Sequence, residues 1–144
     1  MSTGLIAKCR KALKAVATRR LVIECDSIPY HFERVPLKKL VNWIRVEAGA
    51  KARSKRAWGW PTHLQVEPSS LCNLQCALCP VAGGLQRQTG LMRLEVFENL
   101  IDQVGEYVFL ILLWDWGEPF LNPRIFDMIS YARQRDIKLV SSTN

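Results

Sequence analysis

Apolar residues recur along this chain with two different rhythms, and the change between them falls near residue 60. Leu5, Ile6, Cys9, Leu13 and Val16 repeat at helical spacing, with Lys8, Lys11, Lys14, Arg19 and Arg20 in much of the remainder. That arrangement predicts a basic amphipathic helix. Leu21 to Ile23 read as a short strand, and Ile28-Pro29 as the start of a turn or extended stretch. After Pro36, Leu40, Val41, Ile44 and Ala48 define one face of a second helix. This helix is expected to fray through small and basic residues into a linker at Trp58-Gly59-Trp60-Pro61, because a proline biases the residue before it away from helix.

Beyond this point the pattern alternates strand and helix. His63-Leu64-Gln65-Val66-Glu67 alternates at period two and stops at Pro68. Leu94, Phe97, Ile101 and Val104 mark a helix, and residues 108–113 are an unbroken apolar run, as expected of a parallel strand covered on both faces. Asn122-Pro123 reads as a helix start, with Asn as cap and Pro at the first position. Ile125, Phe126, Ile129 and Ala132 are expected on that helix's buried face, and residues 137–140 open a third strand. The order β-α-β-α-β predicts right-handed crossovers and a parallel sheet. The domains expected are therefore a basic, mainly helical segment, 1–60, and an α/β core, 61–144.

Charge sharpens this division. Residues 1–60 hold 14 Lys/Arg against 4 Asp/Glu, a balance of +10; residues 61–144 hold 6 against 9, a balance of −3. The basic segment is open to three readings: a solvated helix packed on its own domain, a surface for membrane or nucleic acid, or a transit peptide. The longest strongly apolar run, residues 108–114, is too short to span a bilayer. No apolar secretory leader is visible, so a cytoplasmic location is expected.

The chemistry gathers in the cysteines. There are five, and Cys72, Cys76 and Cys79 fall within eight residues as C-x3-C-x2-C, on a loop directly after a strand. An odd count is a poor disulfide framework, and this grouping points to a metal or cluster in a reducing compartment. Spacers of this length let successive thiolates wrap one small inorganic centre. Clusters held wholly by protein normally take four thiolates, so three with no fourth nearby suggest one iron left for another ligand. The alternative is a structural zinc, which wants four closed ligands and could recruit His63. Cys9 and Cys25 have no companion ligand in sequence and are expected to be inert.

The cysteine loop resembles the signature of the radical S-adenosylmethionine (SAM) superfamily, in which C-x3-C-x2-C follows the first strand of a partial (β/α)6 barrel. The resemblance implies a [4Fe–4S] cluster on Cys72, Cys76 and Cys79. It also places Leu78, where the family usually has an aromatic residue, near the SAM adenine. Trp116-Gly117-Glu118-Pro119, after the second predicted strand, resembles the family's GGEP element with Trp116 for the first glycine. By resemblance, Trp116, Gly117 and Glu118 lie beside the SAM amino group. An ammonium wants acceptors and a nearby carboxylate, and a glycine lets backbone approach closely. Asp115 beside them reads as a turn or capping acid. Ser141-Ser142-Thr143-Asn144 resembles the polar end of the family's third strand, which makes Ser142, Thr143 and Asn144 further SAM contacts. All three motifs fall at the C-terminal ends of successive strands, where open α/β folds bind ligands.

The resemblance covers residues 61 to 144 and implies the family's reaction: one-electron cleavage of SAM to a 5′-deoxyadenosyl radical, which takes a hydrogen atom from a substrate. That substrate is a peptide or small molecule, and the electron donor a flavodoxin or ferredoxin. The phrase 116–123 is similar to members carrying a cysteine-rich auxiliary-cluster (SPASM-type) domain. No residue is assigned a catalytic role of its own. Three strands are about half of a six-stranded barrel, at about 30 residues per βα unit. The chain thus reads as an N-terminal fragment that would need a missing C-terminal half and would not turn over substrate alone. The competing function is a basic nucleic-acid or membrane-associated protein with a metal-binding cysteine loop.

Overall fold

The computed structural model describes residues 3–84 and 86–144, with side chains from residue 10 onward. It divides into two compact units, Met1–Trp60 and Pro61–Asn144.

The first unit is helix, hairpin, helix: α1 (Thr3–Thr18), β1 (Leu21–Cys25), β2 (Ile28–Phe32) and α2 (Leu37–Lys51). The strands pair antiparallel, with Leu21 opposite Phe32 and Cys25 opposite Ile28. Asp26 and Ser27 close the hairpin as a two-residue loop, both at positive φ (50° and 63°). Such a turn matches the right-handed twist of the strands it joins. The hairpin replaces the single strand and extended stretch expected here. Leu5, Ile6 and Cys9 lie outside the described side chains. Among the described side chains of α1, Ala15 is buried, while the larger Leu13 (71%) and Val16 are exposed.

The buried face of α2 is Lys39, Leu40, Asn42, Trp43 and Gly49, rotated from the expected one, and Val41 is exposed. The cause lies after the helix. Asn42 clamps the backbone of Trp60, donating from Nδ2 to its carbonyl (3.0 Å) and accepting from its N–H (2.8 Å). The Trp58 ring lies where a side chain on Gly49 would begin, 3.0 Å from a Cβ built there. The residues expected as a loose linker are thus tied back onto α2. Among the described residues no helix is long and apolar enough to cross a membrane.

The second unit is an α/β layer. Strands β3 (His63–Gln65), β4 (Leu110–Leu112) and β5 (Lys138–Val140) form a parallel sheet in the order β3-β4-β5. Leu64 pairs with Ile111 and Ile111 with Leu139. The central strand is the apolar run noted above: Val108, Phe109, Leu110, Ile111 and Leu113 are fully buried. Helices α3 (Leu94–Val104) and α4 (Ile125–Arg133) follow β3 and β4. Phe97, Ile101, Val104, Ile125, Met128 and Ala132 join the strand side chains in one core. Phe126, expected to be buried, is 66% exposed. Outside the core, Asp102 of α3 accepts from the Tyr131 hydroxyl (2.9 Å) and pairs with Arg135, joining the two helices.

The start of α4 also differs from expectation. The helix proper starts later, at Ile125: a 3-10 turn (Pro119–Leu121) precedes it, and Asn122 ends that turn. Its carboxamide is buried and bridges two other segments, donating to the carbonyls of Pro68 (2.7 Å) and Met92 (2.9 Å). Its Oδ1 accepts from the Arg124 N–H (2.9 Å). A buried amide with all these groups bonded fixes the strand-end loops against each other.

Candidate functional site

In a parallel sheet all strands point the same way, so the segments after β3, β4 and β5 emerge at one edge. The loop after β3 carries the cysteines. Its base is closed by Ser70 and Gly90, whose backbone and side-chain bonds are 2.7–3.1 Å long, and by a bridge from Ser69 to Leu91. Within the loop the Cys79 N–H donates to the Cys76 carbonyl, and the Gly83 N–H to that of Cys79, both at 3.0 Å. Cys72, Cys76 and Cys79 are free thiols; Cys76 is exposed, the others half-buried. The Cys72 Sγ accepts from the Leu74 N–H at 3.4 Å and from the Asn144 carboxamide at 3.8 Å.

The segment after β4 lies against the chain just before Cys72. A Cβ on Gly117 would stand 2.0 Å from the Ser69 carbonyl oxygen and 2.9 Å from that of Leu71. Only glycine permits that approach. The Glu118 N–H donates to the Leu71 carbonyl at 2.8 Å. Glu67, two residues beyond the end of β3, accepts from the Trp116 and Gly117 N–H groups, each at 3.2 Å. Arg87, from the far side of the cysteine loop, pairs with the same Glu67 oxygen at 2.6 Å. That hydrogen bond pushes the Arg87 guanidinium further up. Asp115 Oδ1 accepts from the Gln65 carboxamide (3.2 Å), a turn-fixing contact.

Glu118 joins this turn to the end of β5. It is 5% exposed, and its carboxylate accepts from the Phe120 N–H (3.0 Å), the Thr143 hydroxyl (2.8 Å) and the Asn144 N–H (3.0 Å). Burial by itself pushes this carboxyl up; the bonds from Phe120, Asn144 and Thr143 outweigh it and hold the group below the ordinary carboxylate value. Glu118 is thus not solvated, and three of its acceptor positions serve its own chain. It holds Thr143 and Asn144 in place. Asn144 in turn reaches the cysteine loop, donating from Nδ2 to Asn73 Oδ1 at 3.0 Å.

Of the residues singled out in the sequence, the fold brings together Cys72, Gly117, Glu118, Thr143 and Asn144. Trp116 flanks them, 47% exposed. Ser142 is exposed, and Leu78 is 98% exposed and lines no apolar wall. Sequence reasoning missed Glu67, Arg87 and Asn122, which hold the site's backbone. An acid at the last turn of a period-two strand, directly before a proline, was the available signal for Glu67.

The donor set fits a thiolate-held cluster. Three free thiols share one loop at the spacing that cluster ligands use. Among the described residues, no three His, Cys, Asp or Glu side chains stand close enough to hold a single ion. A cubane spreads its sulfur ligands over separate irons. His63 begins β3, away from the loop that follows that strand, and its Nδ1 is 2.9 Å from Thr62 Oγ1. It is badly placed as a fourth zinc ligand. Cys25 belongs to the first unit, where burial and the adjacent Asp26 push its thiol up and keep it protonated.

Comparison with known proteins agrees with this layout. No family model matches the chain. The tungsten-containing aldehyde ferredoxin oxidoreductase cofactor-modifying protein of Pyrococcus furiosus is 30% identical over 84 residues, covering 57% of this chain and 23% of the relative. The AdoMet-dependent heme synthase of Methanosarcina barkeri is 27% identical over 84 residues, covering 58% and 24%. The chain spans about a quarter of the length of these relatives. Among solved structures, BtrN in complex with AdoMet and 2-DOIA superposes with a TM-score of 0.54 at 22% identity, covering 59% of this chain and 36% of BtrN. Streptococcus suis SuiB bound to S-adenosylmethionine gives 0.50 at 22% identity, covering 99% and 30%. At such identities the structural likeness is one of fold. Parallel strands in this order and these comparisons agree: the chain is similar to one part of radical SAM enzymes, and its α/β layer has the fold of part of their barrel.

Proposed function

We propose that the Pro61–Asn144 unit is the cluster-bearing part of a radical SAM enzyme, with Cys72, Cys76 and Cys79 as the ligands of a [4Fe–4S] cluster. The observation that carries this reading is the loop itself: three free thiols at the edge where β4 and β5 also end, with the Cys72 sulfur bonded from the end of β5. When bound, the cluster supplies the electron that cleaves SAM to methionine and a hydrogen-abstracting 5′-deoxyadenosyl radical.

The chain's own residues do the positioning. Gly117 brings the turn after β4 against the backbone before Cys72, and Glu67 fixes the amides of Trp116 and Gly117. Glu118 locks the end of β5 to the same turn, so the three strand ends form one rigid rim. SAM would bind along this rim, near Trp116, Gly117, Ser142, Thr143 and Asn144, with Leu78 of the loop beside it. The carbonyls of the turn, more than the Glu118 carboxylate, would receive its ammonium. The substrate is a peptide or small molecule, and a low-potential flavodoxin or ferredoxin supplies the electron. The 116–123 phrase supports a place among members with an auxiliary-cluster domain.

Anaerobic reconstitution with iron and sulfide tests the proposal. About four irons per chain are expected, and none after Cys72, Cys76 and Cys79 are all replaced by Ala. A chain that instead takes up about one zinc and no iron would exclude it.

A further inference from the structure

The three cysteines are not equivalent. Among the described residues Cys72 is the one whose sulfur accepts a hydrogen bond from a side chain, that of Asn144, at 3.8 Å. The same sulfur accepts the Leu74 N–H at 3.4 Å, but that bond is local to the loop. Asn144 comes from the end of β5, and the cysteine loop does not determine where it stands. Its N–H is fixed on Glu118 Oε2 at 3.0 Å, and Glu118 is itself buried and bonded to Phe120 and Thr143. Its carboxamide has two N–H donors: one meets Asn73 Oδ1 at 3.0 Å, and the other is available for Cys72. A buried carboxylate therefore holds a backbone, and that backbone aims an amide N–H at a sulfur.

We propose that Asn144 is a positioning residue for the cluster, orienting Cys72 and raising the cluster's reduction potential through this N–H···S contact. The inference rests on the reading of Cys72 as a cluster ligand. A donor on a ligand sulfur stabilises the more negative, reduced state more than the oxidised one, and hydrogen bonds to sulfur are among the terms that set such potentials. The donor is held by Glu118 and not by the loop, so it stays in place while the loop closes on a cluster. The Glu118–Asn144 link also makes the turn after β4 a remote determinant of the Cys72 environment.

The test is an EPR-monitored redox titration of the reconstituted 144-residue chain and three variants. Asn144→Leu, which removes the donor, should titrate at a lower potential than the parent. Asn144→Asp, which places a carboxylate oxygen near the sulfur, should go lower still and serves if the Leu variant loads poorly. Asn73→Ala removes the bridge within the loop but leaves the donor, and should keep the parental potential. Parental potentials in both Asn144 variants would overturn the inference while leaving the cluster assignment intact. A parent chain that takes up no iron would overturn the assignment first, and the two failures are thereby distinguished. A shift in Asn73→Ala equal to that in Asn144→Leu would also overturn it, because loop ordering would then be the cause.

Discussion

The loop after β3 and the turn after β4 meet at one sheet edge, yet they are built in opposite ways. The turn is buried where it matters and bonded in every direction: Gly117 against Ser69, Glu67 on two amides, Glu118 on Thr143 and Asn144. The loop is closed at its base but exposed along most of its length, with Leu78 at 98% exposure, Cys76 exposed and Cys72 and Cys79 half-buried. The difference assigns separate tasks. On the proposed function, the turn provides a rim that is rigid before any ligand arrives, and the loop carries the ligands that a cluster would draw together. Metal sites commonly couple ligand ordering to binding in this way.

Substitutions should therefore cost stability in the turn and little in the loop. The largest effect is expected at Gly117. Its Cβ would lie 2.0 Å from the Ser69 carbonyl oxygen, so Gly117→Ala must displace backbone, with a loss of about 3–5 kcal/mol in denaturant unfolding. A loss below about 1 kcal/mol would mean that the two segments separate easily. Next is Asn122→Ala, which leaves the Pro68 and Met92 carbonyls without their buried donor; about 2–3 kcal/mol is expected in the same measurement.

Glu118→Gln should cost about 1–2 kcal/mol near neutral pH, where the bonds to a charged acceptor are lost. It should also alter the pH dependence. The folded carboxyl sits below its ordinary value of 4.5, so it contributes stability above that pH and loses it as pH falls through the lower, folded value. The parent should therefore weaken on acidification in this window more steeply than the Gln variant. Equal slopes would remove Glu118 from the account. The smallest effect is expected in the loop: replacing Cys72, Cys76 and Cys79 together by Ser should change the stability of the iron-free chain by no more than about 0.5 kcal/mol. A larger loss would show that the loop is packed as firmly as the turn.

Much of this layout was legible in the sequence, for physical reasons that differ by region. An unbroken apolar run such as residues 108–113 has few fates in a chain of this size, and it became the buried central strand. The three polar motifs stood where strand periodicity stopped, so their convergence followed from a parallel sheet. The hairpin was hidden because Asp26-Ser27 is not the usual Asn-Gly turn and Pro29 interrupts the second strand. The α2 face was misjudged because Trp58 and Trp60, beyond the end of the helix, decide which side is covered. Asn122 was legible as a helix start through its neighbour Pro123, but its buried partners Pro68 and Met92 lie 54 and 30 residues away. Local rules do not reach such contacts. Glu67 was read only as part of a strand pattern, although it is the hub that fixes the turn.

The central claim is that these three thiolates hold one cubane cluster. Mössbauer spectroscopy of the chain reconstituted anaerobically with 57Fe tests it most directly. The spectrum predicted is that of a [4Fe–4S] centre, absent from the variant lacking Cys72, Cys76 and Cys79. Isolated high-spin iron in the parent, or the same cluster spectrum in the variant, would contradict it.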